Sequence, residues 1–335
     1  MTPKPFPGGA LSPPPAPPLT LPEDPAGPPA RSRARIQDMV ALLRPQQWAK
    51  NVYSMALVAL ATRAWTPWAL GQLLWMTAVF VFASAAVYVG NDLADRKSDR
   101  LHPVKRNRPL ASGRVGVVTA AGLLAGCLAA VAALLATSPP AQWLPVAAYL
   151  LLNLAYSAGL KHVPLLDAFL VSIGFQLRLV AGHVAVDRPV SQWLMTAVLA
   201  VCLVLILGKR RHELVTNGPA GRRALRGYTA HLIDQMLVLC MAVTMVSTLV
   251  YLSQDAPLGD YTSQAVLFAT PFLLFGLFRY LQVLVVERGG ADPVRVLLRD
   301  RPLIICIALF ALTFLLVALL AGNQSLPATT AWNQP

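Results

Sequence analysis

The sequence predicts an all-α polytopic membrane protein of nine transmembrane helices. Three observations carry that reading. Hydrophobic residues make up 56% of the chain and charged residues only 13%, about half the charged share of an ordinary soluble domain. Nine apolar segments approach the roughly 20 residues that a span requires. The connections between them alternate sharply in charge, as the distribution of Lys and Arg across a membrane demands. Strand-like alternation with turn signals is not evident, which argues against an outer-membrane barrel.

Taken in order, residues 1–30 hold twelve prolines and no apolar h-region. They read as a disordered cytoplasmic tail and not as a signal peptide. Residues 31–44 form an amphipathic helix in the headgroup layer, with Ile36, Met39, Val40 and Leu43 on one face. Pro45 ends it, and Trp48 suits an interface. Residues 45–322 make the transmembrane domain, with spans near 46–62, 66–90, 115–137, 142–159, 163–186, 190–208, 230–253, 262–285 and 302–321. A short tail, 323–335, follows. The N-terminal flank and the connections at 91–114, 159–162, 209–229 and 286–301 hold nearly all the cations. The opposite connections carry only Arg63 and Arg188. The N-terminus and every basic loop are therefore placed in the cytoplasm, the C-terminus outside, and the protein in the plasma membrane. Cys127, Cys202, Cys240 and Cys306 each lie in an apolar run without a CxxC partner and read as small buried hydrophobes.

The densest chemistry lies in 87–114, VYVGNDLADRKSDRLHPVKRNRPLASGR. It combines Asp92, Asp95 and Asp99 with Arg96, Lys97, Arg100, Lys105, Arg106, Arg108 and Arg114. The aspartates are spaced i, i+3, i+7, one face of a helix, with Asn91 beside them. Three carboxylates on one face repel unless a cation bridges them, and magnesium takes carboxylates, waters and substrate phosphates together. The bland alternative pairs them with Arg96, Lys97 and Arg100 at a solvated helix end. Lys105, Arg106 and Arg108 would surround a polyanion that the metal alone cannot neutralise.

Further candidates lie at the ends of other spans. Tyr156 and Lys161 stand where the fourth span meets water, as site residues or as snorkelling side chains. Asp167, Arg178 and His183 interrupt an apolar run, and ionisable groups inside a span usually face a cavity or a partner. Arg178, near the middle, is a candidate phosphate ligand; Asp167 and His183 could equally be structural. After the sixth span, Lys209, Arg210, Arg211 and Glu213 crowd one turn, either as a basic cap or as a second phosphate clamp. Asp300 reads as a structural pair with Arg299 or Arg301. No Walker or Rossmann glycine pattern occurs, and no nucleic-acid partner is expected.

The stretch NDLADRKSD, following a span, resembles the NDxxDxxxD signature of the UbiA superfamily of intramembrane prenyltransferases. That resemblance implies nine helices around a central cavity open to lipid. The family's second signature is aspartate-rich and follows the sixth span, whereas this chain has GKRRHEL there. With RPQQWAKN, HPVKRNRP, AYSAGLKH and DPVRVLLRDRPL, the departure resembles the decaprenyl-phosphate phosphoribosyltransferase branch of the family. The branch implies phosphoribosyl pyrophosphate as donor, a polyprenyl phosphate as nucleophile, Mg2+ as cofactor, and a role in making arabinose donors for cell-wall arabinan. A phosphate monoester needs no general base, since it is mostly dianionic at neutral pH.

On this reading Asn91, Asp92, Asp95 and Asp99 hold magnesium on the pyrophosphate, and Lys105, Arg106 and Arg108 steady it. Lys209, Arg210 and Glu213 take the ribose 5-phosphate and hydroxyls. Lys50, Lys161 and Arg178 are candidates for the lipid phosphate, with Tyr156 nearby, and the division among the basic residues is open. A homo-oligomer is compatible with the sequence but not specified by it. Two competing readings are a prenyltransferase moving an isoprenoid onto a small acceptor and a lipid-phosphate or anion transporter. The transporter is disfavoured because no internal repeat is visible and the charges cluster at one membrane face.

Overall fold

The structure is a computed structural model that describes residues 36–323, except 64, 219–222, 288 and 291. The tails expected at 1–30 and beyond 323 lie outside the described residues. Eleven α-helices follow one another there, and no strand occurs among the described residues. Nine of them fall on the nine expected segments: α2 (Ala49–Thr62), α3 (Pro67–Leu101), α4 (Val117–Ala136), α5 (Trp143–Ala158), α6 (Leu166–Ala185), α7 (Gln192–Asn217), α8 (Ala230–Gln254), α9 (Thr262–Val285) and α11 (Arg301–Asn323). Two short helices, α1 (Ile36–Leu43) and α10 (Pro293–Arg299), flank the bundle. Six of the segments are long and apolar enough to cross a membrane unaided. At 14 and 16 residues, α2 and α5 fall short of that length.

Local sequence explains where the long helices start. Thr66, Ser191 and Thr229 cap α3, α7 and α8 by accepting the amides of Ala69, Leu194 and Leu232, and Pro67 occupies the first turn of α3. The 35 residues of α3 span about 52 Å, well beyond a hydrocarbon core of about 30 Å. The helix therefore continues past the expected span end at 90 and carries the aspartate face out of the apolar layer.

Helices α3/α4, α5/α6, α7/α8 and α9/α11 pack as neighbours, and α2 lies against α3 and α6. One apolar core joins α2–α6 through residues such as Met55, Phe80, Val146 and Leu179. A second joins α6–α9 and α11 through Leu203, Ile233, Leu284 and Leu303. Backbone closeness depends on glycine at two crossings. A Cβ on Gly182 would stand 2.9 Å from Met55 Sδ and Val58 Cγ2, and one on Gly208 would stand 2.8 Å from the Tyr280 hydroxyl. Many large apolar side chains, including Leu74, Leu144, Leu154, Leu267 and Phe278, point outward, the surface that lipid and not water would cover.

In helix α1 Leu42 is the buried residue, packed with Val89, Leu110 and Val115, while Ile36 and Val40 of the expected apolar stripe are exposed on the protein surface. The helix docks on the bundle through Leu42, against the apolar seat formed by α3 and the 110–115 loop. The four cysteines are unpaired; Cys127, Cys202 and Cys306 are buried and Cys240 is half-buried.

Candidate active site

The alternation of helix direction gathers the basic connections at one end of the bundle, and a set of ion pairs ties that end together. Asp92 accepts from Arg44 Nη2 at 2.6 Å and from Arg108 Nη1 at 3.1 Å. The same Arg108 nitrogen donates to Asp99 Oδ2 at 2.7 Å, and Lys105 Nζ lies 3.8 Å from Asp99. Asp95 takes both its bonds from Lys161 Nζ, at 2.8 and 3.0 Å. Asn91 Oδ1 accepts from the Ser157 hydroxyl. Thus α3 presents its carboxylates as one face, and cations from the turn after α1, the 102–116 loop and the α5–α6 turn close over it.

The alternative local pairing with Arg96, Lys97 and Arg100 does not form among the described residues. Arg96 and Arg100 donate instead to the carbonyls of Leu110 and Ala111, fastening the loop that brings Arg108 back. Arg106 is exposed and makes no side-chain bond among the described residues. Arg44 holds a left-handed backbone conformation at φ 50°, which a non-glycine residue adopts at a cost. Its guanidinium both binds Asp92 and lies 5.0 Å from the centroid of the Tyr88 ring.

Below this face lies a cavity of about 180 Å³, walled by Lys50, Tyr88, Asn91, Tyr149, Asn153, Tyr156, Phe175 and Arg178 among others. Arg178 is buried and donates to Asn51 Oδ1 at 2.7 Å, Gly174 O at 2.7 Å and the Tyr149 hydroxyl at 3.0 Å. Its guanidinium also faces the rings of Phe80, Tyr149 and Phe175. Lys50 lies over Phe175, where Arg178 and Lys209 repel it and the Asp292 carboxylate attracts it. None of Lys50, Arg178 and Lys209 makes an ion pair among the described residues, in contrast to every aspartate of α3.

The end of α7 is split. Lys209 is exposed. Arg210 is buried, donating to Asp167 Oδ2 at 2.8 Å and Glu213 Oε2 at 2.7 Å. Asp167, fully buried, also accepts from the Tyr228 hydroxyl at 3.2 Å. Burial and the neighbouring Asp167 carboxylate push the Tyr228 phenol up to about 12, so it remains a donor at neutral pH. Arg211 turns away to Asp234 and the Leu284 carbonyl. His183 is buried with Nδ1 against the Leu179 carbonyl. Asp300 does not pair with Arg299 or Arg301. It takes Arg279 of α9 at 2.6 and 3.2 Å, because helix packing brings a distant guanidinium into line while the adjacent side chains diverge.

Arg44, Tyr88, Tyr149, Asn153 and Ser157 were not singled out from the sequence. Arg44 opens RPQQWAKN and Ser157 falls within AYSAGLKH, but only the fold brings them to α3. The donor set at the head of the aspartate face suits magnesium, being hard oxygens from Asn91, Asp92 and Asp95. That ion is commonly held by one or two carboxylates with waters and substrate phosphates. No three His, Cys, Asp or Glu among the described residues converge into a self-sufficient metal cluster. A metal here would therefore need oxygens from its ligand.

An all-helical membrane bundle, with an aspartate face and a cationic cavity at one end, defines the class of intramembrane transferases that handle phosphorylated lipids. The chain belongs to the UbiA prenyltransferase family, which it matches over residues 52–299. It is 34% identical to the decaprenyl-phosphate phosphoribosyltransferase of Corynebacterium glutamicum over 276 residues, 79% of this chain and 82% of that one. It is 31% identical to the Mycobacterium tuberculosis enzyme of the same name over 279 residues, 80% and 90% of the two chains. The fold is similar to that of a UbiA homolog from Archaeoglobus fulgidus bound to DMAPP and Mg2+. The TM-score is 0.62 at 19% identity, covering 84% of this chain and 99% of that one.

Proposed function

We propose that this protein transfers the 5-phosphoribosyl group of phosphoribosyl pyrophosphate to a polyprenyl phosphate of the decaprenyl type, releasing pyrophosphate at the cytoplasmic face. The observation that carries this reading is the set of three cations without ion pairs, Lys50, Arg178 and Lys209, around and beside a cavity that the aspartate face overlies. Arg178 is buried with no carboxylate bonded to it among the described residues, which is costly for a cation, and a phosphorylated ligand supplies the missing charge. A prenyl diphosphate held between two aspartate clusters would need a second acidic face, and the end of α7 offers one glutamate that is already bonded to Arg210. The named relatives that span most of this chain support the same reaction.

The chemistry asks little of the side chains beyond placement. A lipid-phosphate oxygen attacks C1 of the ribose, the bond from C1 to the pyrophosphate oxygen breaks, and pyrophosphate leaves with that electron pair. No proton need be removed from the nucleophile. Asn91, Asp92 and Asp95, backed by Asp99 through Arg108, are the residues that would hold magnesium, which when bound supplies neutralisation of charge on the leaving group. Lys105, Arg108 and Arg106 lie beside that face for the pyrophosphate. Lys209, with the Arg210–Glu213 pair behind it, takes the ribose phosphate and hydroxyls. Lys50, Arg178 and Tyr156 line the cavity for the acceptor phosphate, and Lys161 stands between the two groups on Asp95. The apolar helix faces receive the polyprenyl chain.

The test is turnover by purified protein in vesicles given labelled phosphoribosyl pyrophosphate, decaprenyl phosphate and magnesium. A phosphoribosyl-lipid product is expected. Turnover of a prenyl diphosphate without that product would establish the isoprenoid-transfer alternative instead.

A further inference from the structure

The reading above leaves the buried hydroxyl of Tyr228 unused. Tyr228 lies in the connection between α7 and α8 and is only 5% exposed. Its hydroxyl accepts from the Leu165 amide at 2.8 Å and donates to Asp167 Oδ1 at 3.2 Å. We infer that the Tyr228 hydroxyl is a positioning link that fixes the Lys161-bearing turn against the Arg210–Glu213 end of α7, so that both sides of the donor site keep one register.

Leu165 shows why such a link is needed. It stands at φ 66°, ψ −50°, and the Leu166 amide donates to the Pro164 carbonyl at 2.7 Å. This is a γ-turn with positive φ at its centre, a rare and strained conformation for a residue with a Cβ. Strain of this kind persists only where the surroundings over-determine it. The Leu165 amide is held by Tyr228, and the adjoining chain is packed so tightly that a Cβ on Gly227 would stand 2.5 Å from Pro164 Cγ.

The turn has work on both sides. Toward α3 it carries Lys161, which holds both oxygens of Asp95. Toward α7 it leads into Asp167, whose other oxygen holds Arg210 Nε at 2.8 Å, and Arg210 in turn holds Glu213. A continuous run of bonds thus joins the aspartate face to the α7 clamp, and Tyr228 is the member that touches both the strained turn and the buried ion pair. Neither of its hydrogen-bond partners, Leu165 and Asp167, lines the cavity, so it acts through Lys161 and Arg210.

The consequence for catalysis rests on the donor-site reading, and the test separates the two. Purified full-length wild type and Tyr228→Phe are compared by hydrogen–deuterium exchange and by steady-state turnover of phosphoribosyl pyrophosphate. Phenylalanine keeps the ring and removes one hydroxyl. Amides of 160–167 and 209–213 are expected to exchange about tenfold faster or more, the size of effect that an unsatisfied buried polar group brings, with α4 unchanged. The KM for phosphoribosyl pyrophosphate is expected to rise about tenfold with kcat unchanged, the pattern of lost donor binding. Adding Leu165→Gly, which adopts positive φ without strain, is expected to recover most of that rise. Unaltered exchange in both segments, or an unaltered KM, overturns the positioning role. So does a loss that Leu165→Gly fails to recover, because general destabilisation would then explain it. Wild type that turns over no phosphoribosyl pyrophosphate overturns the donor reading instead, while the exchange data still decide the link.

Discussion

Replacing Arg178 by methionine probes the cationic cavity directly. Removing a buried cation recovers several kcal/mol of desolvation. It forfeits three hydrogen bonds, each about 1.5–3 kcal/mol for a charged donor, and contacts with three aromatic faces at roughly 0.5–2 kcal/mol each. Methionine restores part of that packing, and no carboxylate is stranded. The opposing contributions are of similar size, so unfolding in detergent is expected to shift by less than about 2 kcal/mol. Binding is a different matter. A guanidinium carries five N–H donors; three are engaged, leaving two for a ligand. One charge-assisted bond to phosphate is worth about 1.5–3 kcal/mol, or about 10- to 150-fold in affinity. The KM for the lipid phosphate is therefore expected to rise by that factor in a vesicle assay with labelled donor. Arg178→Lys is expected to recover only part of it, since lysine restores charge without the planar fork. A folded Arg178→Met protein with wild-type KM for both anionic substrates would refute the reasoning. So would gross unfolding, which would make Arg178 a structural residue.

The other expectations concern the aspartate face, the α7 clamp and the α9–α11 corner. Asp95→Asn is expected to lower kcat by about 10- to 100-fold or more and to raise the magnesium concentration required for half-maximal rate; an unchanged magnesium curve counts against the metal site. Chelation with EDTA is expected to stop turnover and added magnesium to restore it. Lys209→Ala is expected to weaken phosphoribosyl pyrophosphate binding about tenfold while leaving lipid-phosphate affinity intact, which titration of each substrate separately would reveal. Hydrogen bonds from Arg279 hold the Asp300 carboxyl below its usual range. A depressed folded-state value means that the stabilisation is fully present above about pH 3.9 and is lost as pH falls through the folded-state value. Asp300→Asn is therefore expected to lower thermal stability at pH 6, with the difference from wild type shrinking below pH 4.

How much of this was legible in the sequence depended on the range of the interaction involved. Span positions followed from hydropathy, which is local. The aspartate face followed from the spacing of Asp92, Asp95 and Asp99 on an unbroken helix. The partners of those carboxylates did not follow. Nearest in sequence stand Arg96, Lys97 and Arg100, yet the bonds come from Arg44, 48 positions before Asp92, and Lys161, 66 positions after Asp95. Spacing alone did not decide it: Arg96 stands four residues from Asp92, within pairing reach on a helix, yet its guanidinium is taken by the Leu110 carbonyl. Asp300 likewise pairs with the distant Arg279 and not with its immediate neighbours. Arg210 was read as a substrate ligand because it sits in a basic run; that it is buried and bonded to Asp167 and Glu213 had no sequence signal. The strained turn at Leu165 has no sequence signal at all, because glycine is the residue expected at positive φ and leucine stands there.

The distribution of charge separates the pairs formed within the protein from the cations left for a ligand to answer. Arg44, Lys105, Arg108 and Lys161 answer the aspartates of α3, and Arg210 answers Asp167 and Glu213. Those pairs assemble the mouth of the bundle before any ligand arrives. Lys50, Arg178 and Lys209 form no such pair among the described residues, and the repulsion that Arg178 and Lys209 exert on Lys50 is offset only in part by the Asp292 carboxylate. Proximity of like charges costs stability unless a counter-ion accompanies function. An isoprenoid diphosphate would bring that counter-ion together with its own hydrophobic tail. A sugar donor and a lipid phosphate bring charge from two directions, one from water and one from the bilayer. Cations reaching from the exposed end of α7 at Lys209 down to buried Arg178 on α6 suit the second arrangement, because each end of the series meets a different phosphate.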